Sequence, residues 1–488
     1  MRRHLLPFVT VLAYACTNGG AVPSDFNFDQ QVDDEAENNQ VSSSNVKMCV
    51  GGANVYLMWI DNRNNFKDVW FNSSSDGGAT WSGATRVKQG SGDASGLSLA
   101  CTGDHVFAAW EDTRDSDSAY PNIYVNFSND AGRTWQEQDQ RIDNDPEGRY
   151  ISLAPQIAIF QGSVHVVWFD QINGAPEIFI ATSSNAGRNF GDPMQVSGDP
   201  ENPGEYWSGN PRVAMDDKGR THIAWETTKS GTQEIFYSRV NETGDNFTPA
   251  QRVNLGEKPG TFFAFAPSMG VSGDNVYLAW HDTRGGDGLD MFYNYSANGG
   301  GDWLQAAVRL ESDAPGSHES RDASIEVVDD VAHMVWEDNV NGGYDILYRT
   351  AKAGVLGDAE IRLDGGDSPG TGNSVHPKIT SKGDLMITAW EDLRSGGDSG
   401  RNDLFYNFNS SADPARPWDK NRDYRLSSVQ AGSSFTKDLN VGTDGELVYT
   451  AWLDFRGGEE DGDVYFAAVV PGEAISTAED AVAAGLTK

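Results

Sequence analysis

The chain has 488 residues, of which 72 are Asp or Glu and 36 are Lys or Arg, giving a formal net charge of −36. A surface so acidic repels phosphate backbones and anionic headgroups, which sets nucleic acid aside as a partner and leaves a membrane reachable only through an anchor. With 54 Gly, 11% aromatic residues and many short runs of Val, Ile, Tyr, Phe and Trp between Gly/Asp/Asn clusters, the composition points to an all-β protein.

The first element in chain order is an export signal. Met1 to His4 supply a basic start, and Leu5 to Ala15 an apolar stretch too short to span a bilayer; "LAYAC" then ends on Cys16. This resembles a bacterial lipoprotein signal, which implies lipidation of Cys16, although Leu12 stands four residues before the cysteine where the pattern has three. A plain secretory signal cut nearby is the alternative. The expected organisation is a signal peptide over 1–15, a linker over 16–25, one repeat domain over 26–470 and a tail over 471–488. The expected location is the cell envelope, by lipid attachment to the outer membrane or cell surface, or else secretion. With Cys16 lipidated, Cys49 and Cys101 remain, ten and nine residues before Trp59 and Trp110. In an oxidising compartment they are candidates for a disulfide, with two buried free thiols as the alternative.

From residue 59 onward one phrase recurs: WIDNR at Trp59, WEDTR at Trp110, WFDQI at Trp168, WETTK at Trp225, WHDTR at Trp280, WEDNV at Trp336, WEDLR at Trp390 and WLDFR at Trp452. Successive tryptophans lie 51, 58, 57, 55, 56, 54 and 62 residues apart, a period that marks a repeat architecture. Trp and the Asp two residues on share one face of a strand. Asp recurs in seven units, with Thr227 in the other, and Arg in five. A catalytic residue is needed once per site, so the motif is read as scaffold.

Each unit contains four short strands. A first run such as "PQIAIF" (155–160) crosses a tight turn into the apolar Trp strand. The third strand opens on an acid or amide, as at Asp68, Asn122 or Glu177, and the fourth ends in pairs such as Arg86-Val87 or Arg141-Ile142. Four antiparallel strands repeated radially form a β-propeller blade. Fourth strands number seven and the others eight, while Gln31-Val32 stands 27 residues before Trp59, within the range of 23 to 29 found for the other pairs. The amino-terminal segment is therefore expected to complete the last blade and close an eight-bladed ring, with seven blades as the alternative count.

The turns after the third strands read "SSDGGATW" (74–81), "SNDAGRTW" (128–135), "SSNAGRNF" (183–190) and "SANGGGDW" (296–303), with degenerate versions at 240–247 and 411–418. They resemble the Asp-box, Ser-x-Asp-x-Gly-x-Thr-Trp, of sialidases and other BNR-repeat propellers. The resemblance implies a propeller in which this turn is a folding device on the face away from the active site. Sialidases grip a carboxylate with an arginine triad and use a Tyr nucleophile with a Glu partner and an Asp acid/base. Their first arginine lies in a Phe/Tyr-Arg-Ile-Pro motif that this sequence lacks, and they have six blades, so no catalytic residue is assigned. The recurrent Asp-x-Arg-x-Gly and Asp-Ile-Tyr phrasing is also similar to TolB-type periplasmic propellers, which implies protein contacts.

Function is expected where the units differ, in the connections between blades at 143–154, 197–210, 254–266 and 311–323. Tyr150, Tyr206, Trp207, Phe262 and Phe263 offer flat faces for a sugar or a partner's side chains, or else fill the mouth of a wide channel. Arg149, Arg212 and Arg321 could bind a carboxylate bidentately or pair with nearby acids. Glu205 beside Tyr206 is the one adjacent Tyr/Glu pair there. His318 and His376, read as equivalent connection positions, make a weak metal signal, so no metal site is assigned. No cofactor is expected, with calcium the possible exception, since the Asp/Gly-rich stretches at 282–290 and 392–403 lack calcium-loop spacing. The resulting expectation is a monomeric binding propeller for a glycan or a protein. The alternatives are a sialidase-type glycoside hydrolase and an interaction scaffold of the envelope.

Overall fold

The second strand of each unit, such as His105–Asp112 or Leu385–Asp392, is buried along nearly its whole length. Its apolar run is continuous because a neighbouring blade covers each face of the sheet. In a computed structural model of the chain these strands sit inside eight four-stranded antiparallel sheets, one of them with an extra short strand. The structure describes residues 29–33, 41–116, 120–146, 148–198, 201–241, 246–395, 400–410, 418, 422–456, 458 and 462–474. The signal, the linker and Cys16 lie outside them. Among the described residues every element is a strand, and no helix is long and apolar enough to cross a membrane.

The inner strands of blades 1 to 8 are Ser44–Gly51, Ala94–Thr102, Ser152–Phe160, Ser208–Met215, Ala264–Ser272, Ser320–Val328, Ser374–Lys382 and Thr436–Thr443. Each touches the next, and the last touches the first, so they ring a central channel. Blade 8 is closed by Asp29–Gln31, which pairs antiparallel with Asp463–Val469. Val32 continues into the core between blades 8 and 1. Asp33 accepts the Val464 N–H at 2.7 Å, the same service that Asp143 gives Ile123 at 2.8 Å in blade 2. The amino-terminal strand thus has the role that an outer strand has elsewhere, and the ring has eight blades.

The recurring Trp-x-Asp-x-Arg phrase is a rivet. Trp110 Nε1 donates to Asp112 Oδ2 at 2.9 Å, and Asp112 Oδ1 accepts the Arg114 N–H at 2.9 Å. The Arg114 guanidinium returns to Asp112 at 2.6 Å and lies 4.0 Å over the Tyr124 ring. The same arrangement recurs at Trp59, Trp280, Trp390 and Trp452. In blade 4, where Thr227 replaces the acid, the Thr hydroxyl accepts from Ser208 at 3.1 Å and the buried Trp225 Nε1 is left without a partner.

At the opposite end of the blades, Ser74 Oγ donates to Asp76, and Asp76 accepts both the backbone N–H and the hydroxyl of Thr80 at 2.9 and 2.6 Å. Gly78 is required here. Its φ is +90°, and a Cβ would sit 2.1 Å from the Phe466 ring of blade 8. Trp81 packs edge-on against that ring at 5.0 Å, and Trp135 against Phe71 at 5.1 Å. Each such turn therefore docks on the preceding blade. A disulfide joins Cys49 to Cys101 across the first two inner strands, with Cα atoms 6.0 Å apart.

Candidate functional site

Two kinds of segment meet at the other end of the channel: the turns after the Trp strands and the connections between blades. The connections are less variable than their sequences suggest. Gly204, Gly260, Gly316, Gly370 and Gly432 each donate a backbone N–H to the carboxylate that opens the preceding third strand, at 3.0 to 3.2 Å. The signal for this was a glycine preceded by Pro in four of five cases. What varies is the side chains that follow it.

Those side chains enter an inner strand that is bulged in every blade. Register slips between Ser44 and Lys47, Leu153 and Gln156, Gly209 and Arg212, and at the matching place in the other five blades. The extra residue takes a positive φ: Asn45, Gly96, Ala154, Asn210, Ala266, Asp322, His376 and Asp438, all between 48° and 56°. A bulge re-aims the neighbouring side chains. Directly after it comes one residue per blade that pairs with the residue preceding the motif Trp: Lys47, Ser98, Gln156, Arg212, Ser268, Ser324, Lys378 and Asn440.

Glutamates beside the motif Trp latch these bulges. Glu111 accepts the Ala154 N–H of blade 3 at 2.8 Å, Glu226 the Ala266 N–H of blade 5 at 2.7 Å, and Glu337 the His376 N–H of blade 7 at 2.8 Å. Trp-Glu was visible in the sequence, but the latch joins residues 39 to 43 apart and nothing local announces it.

The aromatic candidates gather on blades 4 and 5. The Trp207 ring covers Gly209, where a Cβ would lie 2.5 Å from it. Phe263 stacks on Phe265 with centroids 5.9 Å apart and planes 9° from parallel, and Phe265 meets His281 at 5.5 Å. Phe263 is 44% exposed, an open apolar face at the mouth. Burial lowers the His281 pKa, which keeps this end of the arc neutral. Phe262 and Tyr206 are half-buried beside it, and Glu205 is exposed.

Other candidates fall elsewhere. Arg149 is exposed and Tyr150 half-buried on the connection into blade 3. Arg321 is tied to Glu337 and lies 4.5 Å over the Tyr344 ring. A hydrogen-bonded Tyr/Glu pair at the mouth is Tyr344 with Glu319, at 2.6 Å, whose residues are 25 apart in sequence. Burial and the Glu319 carboxylate push the Tyr344 phenol up to about 12. His318 and His376 are not equivalent. His318 lies in a connection and meets Asp313 at 2.9 Å, whereas His376 is the bulge residue of blade 7 and meets Glu391 at 3.3 Å. The one-residue shift of a bulge is invisible to counting from flanking motifs. Asp322, Glu337 and His376 bring ligand atoms within 4.8 Å of one another, but Glu337 already holds Arg321 and the His376 N–H.

Arg212 stands in the channel ring, outside the connection, with its side chain enclosed by the walls and its pKa lowered by that burial. Lys47 and Lys378 join it. A cavity of about 790 Å³ opens among blades 6, 7, 8 and 1, lined by Lys47, His376, Lys378, Glu391, Lys437 and Asp438. The three lysines were missed because their strands were read as repeated scaffold.

Several carboxyls have raised pKa values: Asp143 to about 6, Asp364 to about 7 and Glu311 to about 8, in each case through burial first. Shifts of this kind often mark catalytic groups. Here all three occupy one repeated position, following the outer strand and accepting a third-strand N–H, so they belong to the scaffold.

No family model matches the chain, and no curated protein matches it. Among solved structures it is similar to the polysaccharide lyase Uly1, at 12% identity over 79% of this chain and 92% of that one, with a TM-score of 0.49. It is also similar to the α-L-arabinofuranosidase of Fusarium graminearum with arabinobiose, at 12% identity over 75% and 93%, with a TM-score of 0.37. A mutant of the NanB sialidase from Streptococcus pneumoniae aligns at 11% identity over 85% and 83%, with a TM-score of 0.39.

Proposed function

We propose that the protein is a glycan-binding propeller whose mouth captures a sugar on the aromatic arc of blades 4 and 5. The observation that carries this reading is the Phe263–Phe265 stack before blade 5, one connection on from Trp207: a flat, half-open apolar surface at the mouth of the channel. Sugar rings present C–H faces to such surfaces and hydroxyls to the polar groups around them. Stacked rings of this kind lose little conformational freedom on binding, which favours capture by a preformed surface. Export and lipid attachment through Cys16 belong to the same reading and rest on the amino-terminal sequence alone.

The hydrolase reading has one arrangement in its favour, the Tyr344–Glu319 pair with Arg321 over the ring. A phenol held near 12 is a poor nucleophile at neutral pH, so this pair serves better as a clasp between blades' loops than as a catalytic couple. One experiment addresses both readings. Full-length mature protein is screened on a glycan array beside turnover of a fluorogenic sialoside, with Phe263→Ala and Tyr344→Phe in parallel. Capture is expected, weakened about tenfold by Phe263→Ala with an unchanged Tm. Sialoside turnover lost in Tyr344→Phe would replace the binding reading with the enzymatic one. A wild type that captures only proteins would replace it with the scaffold.

A further inference from the structure

The channel ring is chemically out of character with the rest of the chain. In a protein with twice as many acids as bases, its eight positions hold three cations and no acid. Lys47, Arg212 and Lys378 come from blades 1, 4 and 7, steps of three, three and two around a closed ring of eight, so they are well spread around it, and Lys47 and Lys378 line one cavity of the channel.

Their partners are also unusual. Arg114, Arg394 and Arg456 each hold two carboxylates. Arg212, by contrast, gives one N–H to the Pro211 carbonyl at 3.0 Å, and among the described residues Lys47 and Lys378 have neither an ion pair nor a hydrogen-bond acceptor. The acids whose fields reach them are Glu226 for Arg212, Asp322 and Glu391 for Lys378 and Asp438 for Lys47; Glu226 already engages Asn210, Gln233 and the Ala266 N–H, and Glu391 engages His376 and Asn402. Lys378 is exposed to the channel solvent, yet the protein mass around the channel lowers its pKa; Asp322 opposes this, and the fields of Arg212 and Lys47 add to it. Lys378 therefore stands in the fields of both other cations, and like charges facing one channel are costly unless an anion joins them.

We propose that the axial channel is a binding site for one small oxyanion, held by Lys47 and Lys378 as point charges and by Arg212 as a forked donor. Ammonium and guanidinium groups have only donors to offer, and three of them converging from separate blades suit a group with oxygens on several sides, such as sulfate or phosphate. The site is separate from the sugar platform, since the ring lies below the aromatic arc and none of its cations belongs to that arc. Occupancy would tie blades 1, 4 and 7 together through a ligand that no single blade can hold.

The test uses the mature protein and titrates sodium sulfate and sodium phosphate against sodium chloride at matched ionic strength. Calorimetry and Tm are both followed. Sulfate or phosphate is expected to bind saturably and to raise Tm beyond chloride, whereas Lys378→Met and Lys47→Met each weaken binding about tenfold or more. Lys352→Met, at an exposed lysine on the third strand of blade 6 and outside the ring, is the control and retains wild-type binding. Equal responses to all three salts in wild type would overturn the proposal, as would undiminished binding in folded Lys378→Met and Lys47→Met. The wild-type titration decides the matter even if a lysine variant fails to fold.

Discussion

The blade scaffold and the channel ring are built from the same eight-fold repetition and use it in opposite ways. In the scaffold, one chemistry recurs in five of the eight blades: Trp donates to Asp, Asp receives Arg, and Arg covers an aromatic ring. In the ring, one backbone position holds Lys, Ser, Gln, Arg or Asn. The bulge before it is common to all blades, so the backbone presents this position in the same way everywhere and only the side chain is left to choose: Ser98, Ser324 and Asn440 accept an N–H from the next blade's inner strand, which a cation cannot do. A repeat protein can in this way acquire a site by substitution at a position already presented to the ligand. The same holds at the mouth, where Trp207 and Phe263 stand where Glu319 stands in blade 6, each accepting at its carbonyl the N–H of the first residue after the motif Asp or Thr.

This contrast is broken most severely by removing the one outer strand that comes from the other end of the chain. Deleting residues 29–33 strips the Asp463–Val469 edge, uncovers Val464 and Phe466 and frees Arg456 from Asp29. The expected result is aggregation or loss of cooperative unfolding, read by scanning calorimetry and light scattering. A deletion variant that melts like wild type would show that the blade does not need its fourth strand.

Next in size is Asp112→Ala. The carboxylate is fully buried and serves Trp110, Arg114 and, at 4.0 Å, Lys88. Removing one member of such a network costs about 3–5 kcal/mol. Urea unfolding should show this loss, while oxyanion binding in the channel persists in the protein that remains folded. A loss under about 1 kcal/mol would mean that the rivet is ornamental.

The smallest effect is a slope. Burial raises the Glu311 carboxyl to about 8, above its unfolded value, so between roughly pH 4.5 and 8 the folded state holds a proton that the unfolded state releases. Its contribution to stability is therefore greatest at low pH and is lost as pH rises through 8, at no more than about 1.4 kcal/mol per pH unit. Glu311→Gln should flatten the fall of Tm between pH 5.5 and 8. Parallel wild-type and variant curves would remove Glu311 as the source, and altered sugar capture would move it from the scaffold to the site.

Most of the fold was legible because its determinants are local and repeated. Trp-x-Asp-x-Arg needs only a strand's alternation, and a count of seven outer strands against eight others identified Gln31-Val32 as the missing edge. Trp207 and Phe263 were legible as departures from a pattern. Lys47 and Lys378 were not, although each stands twelve residues before a motif Trp, because the bulge between them and the mouth adds a residue and shifts the alternation used to assign faces. The Tyr344–Glu319 bond and the glutamate latches join separate loops or blades, and no local pattern encodes such a meeting.

The closing strand has a consequence for the order of events in making the molecule. Asp29 pairs with Ala467, so a segment synthesised ahead of the blades is seated only with the last of them. Until the chain beyond residue 463 has emerged, Asp29–Gln31 has no edge to join, and the nascent protein carries an unmatched strand ahead of its first blade. The final pairing must bring together residues more than four hundred apart, an entropic toll that grows only as the logarithm of that separation. Seven blades can form as each is completed, but the circle itself is a single late event. Any factor that holds the amino terminus away from the carboxy-terminal blade would stall the protein as an open arc.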